Sequence, residues 1–292
     1  LYFDKWIFMD IQGNEKSIPD NVILYTVNDA KKIKYNGNRV GENISHLFIE
    51  ISGARLIIYN DKVTKIENKD FNECENLINI TIPNSVTEIG EFAFHNCKNL
   101  KSISIPDNIT IIGKGAFGGC KNLQSITIPN SLTTIESNVF WGCESLTDIA
   151  IPDSVISIGE SAFKDCKSLN SITIPNSVTT IEVAVFNCCY NLTDITIPNN
   201  ITTIKDSAFR GCTSLTSITI PNNVTEIGEY AFGWCENLQM IDIPNSITSV
   251  SLGAFYMCKS LTSITIPDSV TKIGRSAFDG CKNLTNITIP NS

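Results

Sequence analysis

Eleven thiols, two imidazoles and one glycine-rich hexapeptide are the groups in this chain best suited to chemistry, and their spacing decides what they can do. Ten of the cysteines stand 23 residues apart, at Cys74, Cys97, Cys120, Cys143, Cys166, Cys189, Cys212, Cys235, Cys258 and Cys281. A constant interval places one thiol in each structural unit, at equivalent sites whose Cα–Cβ bonds run parallel. A disulfide needs two Cβ atoms turned toward each other, so the file predicts reduced thiols. Buried free cysteine then behaves as a small hydrophobe. No paired Cys-x-x-Cys and no clustered histidine offers the convergent ligands of a metal, so no metal and no cofactor is expected. Cys188 stands outside the file, in a column held elsewhere by Gly119, Gly142, Asp165, Gly211 and Gly280. That position predicts a thiol near the surface and chemically reactive.

The remaining groups argue against catalysis. His46 and His95 are the two histidine candidates for a base, the first in a non-repetitive stretch and the second just after a core phenylalanine. No nucleophile elbow, H-E-x-x-H or catalytic carboxylate pair accompanies them. Gly113-Lys114-Gly115-Ala116-Phe117-Gly118 matches the phosphate-cradling G-x-G-x-x-G. Ala116 and Phe117 are nevertheless the core pair of the local repeat, and no crossover helix of adequate length follows. The expectation is a protein without an active site.

The elements that must position these residues come from the same period. Ten prolines (Pro83 to Pro290) and ten phenylalanines (Phe71 to Phe278) also recur every 23 residues, so one supersecondary unit is copied in tandem. In the copy starting at Leu77, Ile80 and Ile82 flank Thr81, the alternation of a strand with one buried face. Pro83 ends the strand because it has no N–H for a ladder. A second extended limb carries Val86 and Ile89 inward, and Ala93-Phe94 suggests a helical or 3₁₀ turn before Cys97 and a polar bend. One such coil buries too little to offset the entropy of ordering it, so neighbours must stack.

Leu77-x-x-Ile80-x-Ile82 is the strand signature of a leucine-rich repeat. The longer pattern Cys-x-x-Leu-x-x-Ile-x-Ile-Pro-x-x-Val-x-x-Ile-x-x-x-Ala-Phe-x-x-Cys resembles the BspA-like class of that family, over residues from about 54 to 292. The resemblance implies a right-handed leucine-rich-repeat solenoid with one parallel β-sheet and short extended or 3₁₀ segments on the other side. It further implies a surface protein that binds host or matrix proteins, and it carries no catalytic residue.

The period divides the chain into an irregular, strand-rich cap at 1–53 and a solenoid at 54–292, the latter with a degenerate first coil, nine full coils and a partial last one. Ile18-Pro19-Asp20-Asn21-Val22 echoes the repeat out of phase. At the other end Ile289-Pro290-Asn291-Ser292 begins a new limb, which suggests a fragment of a longer array or an edge open to end-to-end self-association. A net charge of −8 disfavours nucleic acid and anionic membranes, which recruit clustered Lys and Arg.

Recognition must then use columns whose identity varies. Between and beside the strand isoleucines runs a nearly uniform ladder of Ser and Thr, interrupted by Asp148, Asp194, Met240 and Asp242. Such a ladder suits a solvated strand face, or a flat surface for an extended partner. On the outer turns Tyr230, Trp234, Tyr256 and Met257 come from neighbouring coils, with Trp141 as an isolated relative. Trp234 and Tyr256 lie one residue short of a full repeat apart, in adjacent columns of adjacent coils. Large aromatics with a polar handle anchor protein interfaces; the alternative is that they fill gaps between turns. The expected function is a non-catalytic, protein-binding module at the cell surface or secreted, with a host-surface or matrix protein as partner. An intracellular scaffold or receptor arm presenting a separate effector domain is the alternative.

Overall fold

The computed structural model describes residues 64–75 and 77–288, together with the backbone of seven earlier strands. These are β1 (Trp6–Asp10), β2 (Glu15–Lys16), β3 (Val22–Ile23), β4 (Ile33–Tyr35), β5 (Asn38–Val40), β6 (His46–Ile51) and β7 (Ala54–Tyr59). From 64 onward the chain is a parallel β-solenoid of stacked coils, without a helix among the described residues.

Each coil contributes two short strands, and both limbs pair with equivalent strands of adjacent coils in short runs, the ladder lapsing for example between Ile111–Ile112 and Thr134–Ile135 and between Ser125–Ile126 and Asp148–Ile149. The first coils supply β8 (Lys65–Ile66) and β9 (Asn79–Thr81). Asn79, Ile80 and Thr81 align with Ser102, Ile103 and Ser104, in register at the 23-residue interval. The second limb pairs as well: Glu88 and Ile89 align with Ile111 and Ile112, and with Lys65 and Ile66 of β8. Alternation puts Ile80 inside and Thr81 outside, as the pleat requires.

The third side is held by turns. Ala93 N–H donates to Gly90 O (3.3 Å) and His95 N–H to Phe92 O (3.1 Å), the i→i−3 bonds expected of a 3₁₀ turn. Phe92 and Asn96, however, have φ of 55° and 58°, and these two left-handed residues stop the turn from continuing as a helix. The alternate N–H groups are thereby aimed at the next coil, with Phe92 donating to Lys114 O (2.9 Å) and Phe94 to Ala116 O (2.7 Å). All three sides of the coil thus hydrogen-bond to neighbouring coils, the two strand ladders with breaks and the turns from Phe71 to Phe255 without one.

Inside, residues at repeat-equivalent positions stack on themselves. Phe71 through Phe278 form a continuous ring stack, with centroids from 4.9 Å (Phe71–Phe94) to 5.9 Å (Phe117–Phe140). The cysteine file runs beside it. Cys97 Sγ donates to Phe71 O at 3.1 Å and Cys235 Sγ to Phe209 O at 3.2 Å, a bond made 26 residues back. All eleven cysteines are free thiols. From Cys97 to Cys281 each ladder thiol is thus hydrogen-bonded to a phenylalanine carbonyl 26 residues back.

At the amino-terminal edge β6 pairs antiparallel with β9, matching Ile49 with Ile80, and β7 and β1 extend the sheet outward. Residues 54–59, anticipated as the start of a degenerate coil, form β7, which pairs with β6 and β1. The place beside β9 is taken by β6, because an antiparallel hairpin can close the ladder where Ala54 and Asn60 have lost the leucine and proline columns. The out-of-phase segment 18–21 lies outside the described residues.

Candidate functional site

The outer-turn aromatics meet in one cluster. Trp234 and Tyr256 stand with ring centroids 4.7 Å apart at 67°, Tyr230 lies 5.8 Å from Trp234, and Tyr230 and Tyr256 make an edge contact at 6.1 Å. The backbone explains the approach, since Trp234 N–H donates to Tyr256 O at 2.6 Å. Arg210, which sequence reasoning missed, places its guanidinium 4.1 Å from the Trp234 ring centre. It lies 24 residues before Trp234, in the column of Trp141 and Tyr256, and that offset was the available signal. A guanidinium over indole is an attractive contact and leaves a charged group at the edge of the cluster.

These side chains occupy costly backbone. Tyr230, Trp234 and Met257 have φ of 53°, 59° and 58°. The Tyr230 column holds Gly115 and Gly253, and the column shared by Trp234 and Met257 holds Gly119, Gly142, Gly211 and Gly280, all with positive φ. A bulky residue in the left-handed region loses roughly 1–2 kcal/mol relative to glycine. Part of the space is prepared for it: a Cβ on Gly253 would collide with the Tyr230 ring, and one on Gly280 with the Met257 thioether. The large residue of one coil therefore lies over the glycine of the next. Tyr230, Trp234, Tyr256 and Met257 are all half-buried. Gap filling accounts for Tyr230 and Met257; Trp234 contacts side chains of its own cluster.

The other candidates are placed apart. Asp148, Asp194, Met240 and Asp242 lie exposed on the strand face, with Ser171 in register between Asp148 and Asp194. Met240 is 62% exposed, the most of any large apolar side chain among the described residues. Trp141 belongs to a different group on the outer turns, stacked on His95 at 6.1 Å with its indole N–H donated to Asp165 Oδ2.

Cys188 has φ 61° and a half-buried thiol whose Sγ lies 2.9 Å from Asn187 Oδ1. Burial pushes the ladder thiols up, Cys235 to about 12 and the half-buried Cys281 to about 11. Thiolate is the reactive species, so a maleimide at neutral pH is expected to label Cys188 first and Cys281 next, with the rest reacting only on unfolding. Mass spectrometry of partially labelled protein checks this; labelling of the core file at a rate equal to that of Cys188 would contradict it.

Among the described residues no group of three or more His, Cys, Asp and Glu is placed to hold a metal, and no helix is long and apolar enough to cross a membrane. In the glycine-rich hexapeptide, the amides of Gly115, Phe117 and Gly118 donate to Ser137, Val139 and Gly115 carbonyls, so its backbone is occupied in stacking and does not cradle a phosphate.

The family model for the BspA type Leucine rich repeat region, in six copies, matches residues 42–152, 133–251 and 202–292. No curated protein matches the chain by sequence. Among solved structures, a leucine-rich repeat protein from Bacteroides ovatus is 27% identical, with a TM-score of 0.66 over 94% of this chain and 88% of its own. A leucine rich cell surface protein from Faecalibacterium prausnitzii is 29% identical, with a TM-score of 0.50 over 94% of this chain and 96% of its own. Period, two-limbed coil, phenylalanine stack and matched span agree, and the chain belongs to the BspA-type leucine-rich-repeat family, whose fold generally serves protein interaction without catalysis.

Proposed function

We propose that this chain is a non-catalytic protein-binding solenoid, displayed at a cell surface, which takes an extracellular matrix or host-surface protein on a platform of Tyr230, Trp234, Tyr256 and Arg210. The observation that carries the reading is Trp234 at φ 59°, in a column where four other coils hold glycine. Stability alone favours glycine there, while interface anchors are drawn from Trp, Tyr and Arg. The likeness to a cell surface protein from Faecalibacterium prausnitzii supports the location.

Surface plasmon resonance against purified collagen, laminin and fibronectin tests it. For whichever protein binds, Trp234→Ala and Tyr256→Ala are each expected to cost at least about 2 kcal/mol, roughly thirtyfold in affinity, while Ser171→Ala and Thr173→Ala stay within about twofold. Trp234→Gly serves as the folding control. Relief of left-handed strain offsets lost ring contacts, so its stability should stay within about 1 kcal/mol of the parent. Loss of binding through the strand-face changes alone would move recognition to the sheet, and binding to none of the three proteins would contradict the matrix partner.

A further inference from the structure

The coil at 113–119 lacks side chains at two outer positions that its neighbours fill. Gly115 stands between Phe92 and Asn138 of the adjacent coils, and Gly118 between His95 and Trp141. The outcome is a notch of about 320 Å³ walled by Phe92, His95, Asn138 and Trp141 and rimmed by Lys114 and Lys164. A Cβ on Gly115 would lie 2.5 Å from the Phe92 ring, and one on Gly118 would lie 2.9 Å from His95 Nδ1, so glycine is required for the rings to lean over this coil.

The charge of the notch runs against that of the chain. The protein carries a net −8, yet two lysines and no carboxylate line this space. Lys65, Lys98, Lys121, Lys167, Lys205 and Lys259 are ion-paired between or within coils; Lys114 and Lys164, like Lys69, Lys101, Lys272 and Lys282, have no ion-pair partner among the described residues, and they alone of these line the notch. His95 adds no charge: its Nδ1 is enclosed without a partner, and burial lowers its pKa. Positive charge beside aromatic walls in a small concave site is the usual make-up of a pocket for an anion with an apolar face.

We propose that this notch binds a carboxylated sugar ring of the size of one uronic acid residue, its carboxylate held by Lys114 and Lys164 and its C–H face against Phe92 and Trp141. Asn138 decides for a sugar over a bare hydrocarbon ring, because an apolar ligand would cover its amide without a hydrogen-bond partner. The site lies five coils from Trp234, about 24 Å along the stack, and stands or falls independently of the aromatic platform.

The test is titration of the intact chain with sodium glucuronate, glucose and sodium benzoate, followed by calorimetry and by the Trp141 indole N–H resonance. Glucuronate is expected to bind and shift that resonance, with glucose and benzoate each at least about tenfold weaker. Lys114→Gln and Lys164→Gln should each weaken glucuronate at least about fivefold, whereas Lys101→Gln, exposed just before the strand Ser102–Ser104, should leave it unchanged. Four results would overturn the proposal: no glucuronate binding, glucose binding as well as glucuronate, benzoate binding as well as glucuronate, or glucuronate binding that survives both lysine changes.

Discussion

Ile174→Asp, one buried methyl-bearing side chain exchanged for a carboxylate in a central coil, should split the unfolding of this protein into separate transitions. Ile174 is 4% exposed and stacks between Ile151 and Ile197, which are also buried. A carboxylate there has no partner in its own coil or in either neighbour, and the cost of burying it or of opening the coil is at least about 4 kcal/mol. In a quasi-one-dimensional array the damage falls on two nearest-neighbour interfaces and cuts the stack into two shorter ones. Two resolved transitions in a thermal or urea melt are the expected result, against one in the parent. A single transition with a midpoint close to the parent's would mean that the coils do not depend on their neighbours in the way the stack requires.

Alkaline pH should act on the whole stack at once. Burial raises the pKa of every ladder thiol from Cys74 to Cys281, with Cys235 reaching about 12 and Cys281 about 11. In the unfolded chain these thiols titrate near 8.5. Below that value both states hold the proton and the contribution to stability is complete. As pH rises toward the folded pKa, the unfolded state releases protons that the folded state retains, and each thiol removes up to about 1.4 kcal/mol per pH unit. Melting temperature is therefore expected to be flat from pH 6 to about 8 and to fall steeply above about 9. The double variant Cys143→Ala, Cys166→Ala separates this from lysine and tyrosine titration: it should be less stable at pH 7 but lose stability with pH less steeply, by roughly 2–3 kcal/mol per pH unit. An unchanged slope would refute the buried-thiol account.

The repeat made most of this legible in advance, and the reason is physical. When each residue stacks on its own equivalent, a column in the sequence is a column in space, so the Ile80, Phe94 and Cys97 positions could be read as interior from one copy. The pairing of the second limb was harder to foresee, because Glu88-Ile89 is two residues long and shows no alternation by itself. Left-handed turns were hidden for another reason. Gly142 announces a positive φ, but Trp234 in the same column conceals it, and only the folded backbone shows that tryptophan adopts a glycine's conformation. Arg210 over Trp234 and the notch at Gly115 depend on where long side chains lean across coils, which the register alone does not determine.

The proposed recognition uses the outer turns, where costly residues gather, and not the regular strand face. Hydrogen exchange read by mass spectrometry on the solenoid alone, and bound to whichever matrix protein it captures, tests this most directly. The expected result is protection on binding in peptides covering residues 228–234 and 253–258, with peptides across Ser171–Thr173 and Ser217–Ile218 unchanged. Protection confined to those strand peptides, with the turns around Trp234 and Tyr256 exchanging as in the free protein, would contradict it.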